Sequence, residues 1–441
     1  MSTEQGPRPH RVLVLNSGSS SVKYQLLDMA DSSRLAVGLV ERIGEETSRI
    51  VHTPLTEGAG GEREVTGRVA DHQAALEAVA AELAEDGLGL DSPELAAIGH
   101  RVVHGGRLFT RPTVIDDAVL AEIERLVPVA PLHNPANLMG IRTARRMRPD
   151  LPQVAVFDTT FHTTMPEYAA RYPIEREIAD AHRVRRYGFH GTSHGYVSRK
   201  TAELLDRPLA ELNLITLHLG NGASAAAVRG GICVDTSMGL TPLEGLMMGT
   251  RSGDVDAAVV FHLKRVAGME TDETDALLNK RSGLVGICGD NDMREITRRM
   301  DEGDEDARLA FDMYVHRLKK YIGAYAAVLG RVDAVVFTAG VGENAAAVRQ
   351  AAVDGLEGFG MAVDRERGGA GGGGWGWGAP PGGPGPRSGV PRLISPGSSR
   401  VAVAVVPTDE ELEIAEQTYA LVGPDTRPAP EGADSPVTPP G

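Results

Sequence analysis

The first clear pattern is a short apolar run, RVLVL at 11–15, then a turn of small polar residues, NSGSSS, then a second strand-like run, VKYQLLD. That order predicts a β-hairpin with a polar tip. Apolar residues next recur at helical spacing over 71–86 and 116–127, and strand-like runs LAAIGHRVV and QVAVFD frame the second helix. Beyond Asp158 the spacing predicts a helix from about Ser193, a strand at 213–219, a Gly-rich hairpin reaching VDT at 236, and a long helix over 307–329. A strand (DAVVFTAG), a helix (GENAAAVRQAAVDGL), a strand (VAVAVVP) and a last helix (TDEELEIAEQTYALV) follow. Strands alternating with helices indicate an α/β protein. Its 441 residues exceed what one core usually organises, so two domains with a cleft between them are expected.

Two segments break the pattern. Gly368 to Gly389 holds too much Gly and Pro for regular structure and predicts a flexible insertion. It carries Trp375 and Trp377, the only tryptophans, either as an aromatic lid or, the plainer reading preferred here, as part of a solvent-exposed loop. Residues 425–441, rich in Pro, Gly and acidic groups, read as a disordered tail.

Charge narrows the partners. Forty-five basic against sixty acidic residues leave a net charge of -15, which argues against nucleic acid but leaves room for a nucleotide held by a few local donors. Two cysteines, Cys233 and Cys288, form neither a metal cluster nor a disulfide framework, so a reducing cytoplasm is expected. The N-terminus lacks a signal peptide's apolar stretch, and no segment is long enough to span a membrane.

Several short motifs compete. There is no Gly-Lys dipeptide and hence no P-loop. Gly191-Thr-Ser193-His-Gly195 fits the nucleophile elbow of serine hydrolases, with His104-Gly105-Gly106 as a loose oxyanion-loop match, but HRVRRYGFH precedes it where an apolar strand is needed. Gly340-Val-Gly342-Glu-Asn-Ala345 fits a relaxed dinucleotide fingerprint, yet it comes late in the chain. His100/His104 and His190/His194 have zinc-protease spacing without the accompanying Glu. More informative is the combination of three Gly-rich or small polar turns after strands: NSGSSSVKY, HLGNGAS at 218–224 and GVGEN at 340–344. Any one of them suits a tight hairpin; together they suggest the phosphates of one nucleotide. Arg101 and Arg251 lie in HRVVHGG and MMGTRSGD, contexts small enough for a ligand to approach a guanidinium fork.

In order along the chain stand VLNSGSSSVKY, GHRVVHGG, PLHNP, VFDTTFH, YGFHGTSH, HLGNGAS, DTSMGLTPLEGLMMGTRSGD, NDMR, AGVGEN and PTDEE. This ordered set resembles the acetate kinase family, within the sugar kinase and actin superfamily, over residues 11 to about 420. The resemblance implies two RNase H-like (actin-like ATPase) domains around a central cleft. The first would span 1–158 and be completed by 408–424; the second would span 159–407, with the nucleotide site and the insertion 368–389. It implies reversible, Mg²⁺-dependent in-line transfer of a phosphoryl group from ATP to acetate, giving acetyl phosphate and ADP. Mn²⁺ would serve in place of Mg²⁺, propionate is the alternative substrate, and the chain would be a homodimer.

Residue by residue, the resemblance assigns Arg101 to the substrate carboxylate, Arg251 and His190 to the transition state, and Asp158 to the active-site carboxylate. Acetate is already ionised and needs no general base, so Asp158 is expected to orient an arginine. Val103, Leu132, Phe189 and Pro242 would enclose the methyl group. Lys23, His218, Leu219, Gly220, Asn221, Gly222, Asp292, Met293, Arg294, Gly340, Val341, Gly342, Glu343 and Asn344 would line the ATP site. Asn16 and Glu410 would hold the metal, which predicts that the two ends of the chain meet. Two departures stand out: the insertion, and Asp409 where the family usually has Asn, which is expected to add an anion beside the metal.

Overall fold

A computed structural model describes residues 9–58, 60–369 and 389–423. Trp375, Trp377, nearly all of the Gly/Pro-rich insertion and the tail at 425–441 lie outside the described residues.

The N-terminal hairpin forms as its pattern predicts. Strand β1 (Arg11–Ser17) pairs antiparallel with β2 (Ser21–Asp28), which sets Asn16 opposite Lys23. The meander continues through β3 (Ser33–Glu41), β4 (Ser48–Pro54) and β5 (Arg63–Gly67), strands the sequence reading did not resolve. On the other side of β1 lie β6 (Leu95–Val102) and β8 (Gln153–Phe157), parallel to it, with the short β7 (Thr113–Val114) at the edge. Helices α1 (His72–Glu85) and α2 (Asp117–Arg125) begin behind Asp71 and Asp116, whose carboxylates accept from backbone N–H groups of the first turn. A third helix, α3 (Asn134–Met147), buries Leu138, Ile141 and Ala144. Gly140 lets it cross β1 closely, since a Cβ there would collide with Ser17.

The second half of the chain builds a six-stranded sheet from β9 (Asn213–Leu219), β10 (Ala223–Arg229), β11 (Ile232–Thr236), β12 (Ala334–Thr338), β13 (Arg392–Leu393) and β14 (Ala402–Val405). Its order is β11-β10-β9-β12-β14-β13, with β9, β12 and β14 parallel. Ahead of it come two short helices, α4 (Glu167–Ala170) and α5 (Arg176–Ala181), and then α6 (Gly191–Leu204), which starts two residues before the predicted Ser193. Between β11 and β12 run α7 (Ala258–Ala267), α8 (Thr271–Lys280), α9 (Gly283–Cys288), α10 (Met293–Asp301) and the long α11 (Glu305–Leu329). The helix predicted as one piece after β12 is two, α12 (Ala339–Asn344) and α13 (Ala346–Val353), broken at Ala345. Gly340 to Asn344 is therefore not a turn leading into a helix but a short helix itself.

The last helix, α14 (Glu410–Val422), follows β14 of the second sheet but packs on the first. Val12, Val14, Val154 and Val156 form one apolar cluster with its Ile414 and Ala415. Gly99 of β6 admits it, because a Cβ there would come within 2.6 Å of the Thr418 hydroxyl. The carboxyl ends of β1, β6 and β8 thus face the start of α14, while those of neighbouring β9 and β12 carry the 218–222 and 339–344 segments. Ligands of α/β sheets bind at such carboxyl ends. Among the described residues no helix is long and apolar enough to cross a membrane.

Candidate active site

Parallel pairing of β6 with β8 sets Arg101 opposite Val156, so that its side chain reaches Asp158 just past the end of β8. Arg101 donates from Nε to Asp158 Oδ1 at 3.1 Å and from Nη2 to Oδ2 at 2.7 Å. Asp158 is buried, so the pair sits where charge-assisted bonds are strong. Burial works against the guanidinium's charge, but the Asp158 carboxylate together with Glu410 and Glu411 outweighs it and holds the Arg101 pKa above its ordinary value. Glu410, at the start of α14, approaches from the other side: its Oε2 lies 3.7 Å from Arg101 Nη2 and accepts from the Thr192 hydroxyl at 3.4 Å.

Arg251 is held differently. Its Nη1 donates to the Pro242 carbonyl at 3.1 Å and touches Met248 Sδ at 3.6 Å. Among the described residues no carboxylate pairs with it, and burial lowers its pKa. A desolvated, unpaired guanidinium is a receptor for an anion. His190 stands close by: a Cβ on Gly222 would lie 3.4 Å from Arg251 Nη1 and 3.6 Å from His190 Nε2. His190 has a left-handed backbone (φ 56) at the start of α6, hydrogen-bonds Ser224 Oγ through Nδ1 at 2.9 Å, and stacks on His218 at 4.1 Å. Burial, with the nearby His218 and arginine charges, pushes its pKa well below the ordinary value, so the ring is neutral.

A cavity of about 300 Å³ opens beside Arg251. Val103, Leu132, Phe189 and Pro242 all line it, Phe189 from the buried end and Leu132 half exposed. His133, Thr241, Asn279 and Lys280 also face it and were missed from sequence. His133 stood in the quoted PLHNP; the α8 residues Asn279 and Lys280 gave no signal.

The nucleotide segments converge less uniformly. Asn221 accepts from Asn291 Nδ2 at 2.9 Å, and Gly249 N donates to its carbonyl at 3.0 Å, so the β9–β10 turn is tied to the loops at 249 and 291. Asp292 caps α10 and is chelated by Arg294 at 2.6 Å. Leu219 and Met293 turn their side chains into the core, which leaves only their backbones to meet a ligand. Glu343 Oε1 accepts from Ala339 N at 2.9 Å and from Thr408 N at 3.2 Å, so its carboxylate joins α12 to the loop before Glu410. Lys23 Nζ is 2.5 Å from Glu411 on α14.

Residues 11–416 match the Acetokinase family. The chain belongs to that family. The acetate kinase of Streptomyces avermitilis is 75% identical over 415 residues, covering 94% of this chain and 98% of that protein. The solved Porphyromonas gingivalis acetate kinase shares 43% identity with a TM-score of 0.85 and covers 93% of this chain and 99% of its own. The propionate kinase of Francisella tularensis shares 39% with a TM-score of 0.83, covering 92% and 98%. The two-sheet α/β architecture is that of the actin-like ATPases.

Against this family background the competing motifs resolve physically. Ser193 lies inside the first turn of α6, wholly buried, with no strand feeding it, so it is not an exposed nucleophile. His100 bonds Gln153 at 2.8 Å and His104 accepts from Gly106 N at 3.0 Å, both on ordinary protein partners. Asp409, expected to add an anion beside the metal, has protein partners of its own. It caps α14 by accepting from Leu412 N at 3.1 Å and pairs with Arg34 on β3, so its charge is already taken up.

Proposed function

We propose that the chain phosphorylates acetate with ATP, reversibly, giving acetyl phosphate and ADP; it is an acetate kinase in activity as well as family. The observation that carries this is the unpaired Arg251, which lines the small cavity and stands beside neutral His190 at Gly222. In-line transfer joins an acetate oxygen to the γ-phosphorus as the bond to the ADP oxygen breaks, with charge spread over three equatorial oxygens. Arg251 supplies positive charge to those oxygens and His190 a neutral donor. Arg101, fixed by Asp158, aligns the substrate carboxylate, and Val103, Leu132, Phe189 and Pro242 take the methyl group.

Asn16 and Glu410 would hold Mg²⁺, with Mn²⁺ suited to the same oxygen donors. Asp158 is engaged by Arg101 at 2.7 Å, whereas Glu410 has its guanidinium neighbour only at 3.7 Å. No group of three His, Cys, Asp or Glu among the described residues could hold a metal. That donor set fits a cation that keeps waters and ATP phosphates as ligands, and when bound it neutralises phosphate charge. The Lys23–Glu411 contact supports the meeting of the chain's two ends. The ATP phosphates would lie on the 218–222, 291–294 and 340–344 segments.

Homodimerisation belongs to the same reading: α7 buries none of its residues and exposes Phe261 and Val266, and sedimentation velocity checks it. Both cysteines are buried free thiols, which suits the cytoplasm. The test of the reaction is to incubate purified chain with Mg-ATP and acetate and trap acyl phosphate with hydroxylamine. Hydroxamate should form with the wild type and not above background with Arg251→Ala; equal yields from both would overturn the proposal. Propionate is the second reading, favoured by the Francisella tularensis relative, and steady-state comparison of acetate, propionate and butyrate decides between them.

A further inference from the structure

The GTSHG segment that mimics a hydrolase elbow performs another task. Three successive residues in the first turn of α6 hold three separate segments. Gly191 N donates to the Asp158 carbonyl at 2.8 Å, Thr192 Oγ1 donates to Glu410 at 3.4 Å, and Ser193 Oγ lies 2.8 Å from both His218 Nδ1 and Thr408 Oγ1. Thr408 precedes Glu410 by two residues and is pinned a second time, its N–H to Glu343. His218 ends β9, where the Gly220–Gly222 turn begins, and its ring carries the His190 ring at 4.1 Å.

We propose that Ser193 is a positioning residue for phosphoryl transfer: its hydroxyl joins the Glu410 segment to His218 and fixes which nitrogen of His218 carries the proton. A serine hydroxyl has one proton to give. With Thr408 donating to Ser193, that proton is directed at His218 Nδ1, and the neutral ring keeps its own proton on Nε2. Nε2 lies 3.9 Å from where a Cβ would stand on Gly220, so it presents a donor to the turn on which the phosphates would lie. Burial keeps His218 neutral, with a pKa lowered to about 4, so the arrangement persists across the working pH range. The His190 ring is fixed from its other edge by Ser224, which also bonds His194 at 2.7 Å. Ser193, His194 and Ser224 are all wholly buried, so water does not compete for these bonds.

The inference rests on the proposed kinase reaction, and its test separates the two. Selective ¹⁵N-histidine labelling of the full chain reads the His218 nitrogens without any turnover. In the wild type Nδ1 should carry an unprotonated signal and Nε2 a protonated one; in Ser193→Ala the two should average or exchange. In the hydroxamate assay Ser193→Ala should lower kcat about 10- to 100-fold, the usual effect of removing a supporting hydrogen bond behind a reacting group. KM for acetate should stay within about twofold, since no acetate contact is touched. Thr408→Val, which keeps shape and removes the hydroxyl, should shift the same His218 signals, and the double variant should lose less than the product of the two singles. If Ser193→Ala fails to fold, Thr408→Val alone carries the test through the same signals. Unshifted His218 signals, a kcat within about twofold of wild type, or strictly multiplicative losses would each overturn the inference. Absence of hydroxamate from the wild type would overturn the kinase reading and leave the nitrogen signals to judge the network.

Discussion

Arg101 and Arg251, from two halves of the molecule, are held in opposite ways. Arg101, from the first sheet, is locked to Asp158 by a two-pronged pair and is also approached by Glu410. Arg251, from the loop ahead of α7, meets among the described residues only a carbonyl and a thioether, and desolvation depresses its pKa. A guanidinium already neutralised in the ground state can align a ligand but adds little new charge. One left half-buried and unpaired keeps its charge free for a ligand. On the proposed reaction, the difference suits alignment to the first sheet and transition-state stabilisation to the second.

The strongest break of that comparison is Arg251→Ala. Removing a charge aimed at the transferring phosphoryl should lower kcat by about 10³-fold or more, and Arg251→Lys should not restore it, because a point charge lacks the fork. A loss below about tenfold in the steady-state assay would place Arg251 outside the chemistry. Next comes Asp158→Asn. It leaves the partly buried Arg101 without its nearer counter-charge, Glu410 being 3.7 Å away, and should cost about 3 kcal/mol of folding stability, read by urea unfolding. Activity should also fall, by roughly 10²-fold. If stability falls and activity does not, Arg101 is a structural rather than an aligning residue.

Much of this was legible beforehand, for identifiable reasons. The β1–β2 hairpin and helices α1, α2 and α11 carry their own apolar period and Asp caps, so local sequence specified them. Helix α3 hides its buried face behind Pro135, Gly140 and small residues, and α12 contains two glycines, so neither advertises itself. The strand-end residues of the site were readable because each sits in a motif after an apolar run. What could not be read was who pairs with whom. The Arg34–Asp409 and Ser193–Thr408 contacts span 375 and 215 residues, and no local pattern encodes them. Leu219 and Met293 show the reverse case, in which residues of a motif turn their side chains into ordinary core packing and leave only backbone towards a ligand.

The second half of the chain also concentrates buried neutral histidines around the Arg251 side of the site. Burial lowers His162 and His218 to about 4, and His100 and His104 on the first sheet likewise. Their ordinary value is 6.5, so between 6.5 and 4 the unfolded chain binds protons that the folded chain does not. Stability should therefore be fully present above pH 6.5 and fall as pH drops through that window, by up to about 2 kcal/mol per such group at pH 5. Melting temperature against pH checks this. A plateau down to pH 4.5 would mean that water or a counter-charge reaches these rings. Smaller still is the effect of Val103→Ala, which widens the cavity beside Arg251. The ratio of kcat/KM for propionate over acetate should rise about tenfold, the scale of one methylene, with Arg251-dependent hydroxamate formation retained.

Asp409 supplies the mildest test, and a third case of a charge already spoken for. It resembles Asp158 in pairing with an arginine, but Arg34 is substantially exposed and the Asp409 side chain spends its other oxygen on the α14 cap. Asp409→Asn keeps the cap, since Asn serves that position as well as Asp. What is lost is an ion pair open to water and salt, a contribution of about 1 kcal/mol or less. The Mg²⁺ concentration for half-maximal activity should stay within about twofold of wild type. A tightening well beyond that would mean that the Asp409 charge acts on the metal after all. Arg34→Ala separates the alternatives: if pairing is what keeps Asp409 quiet, this variant should shift metal dependence more than Asp409→Asn does, because it frees the carboxylate one residue from Glu410.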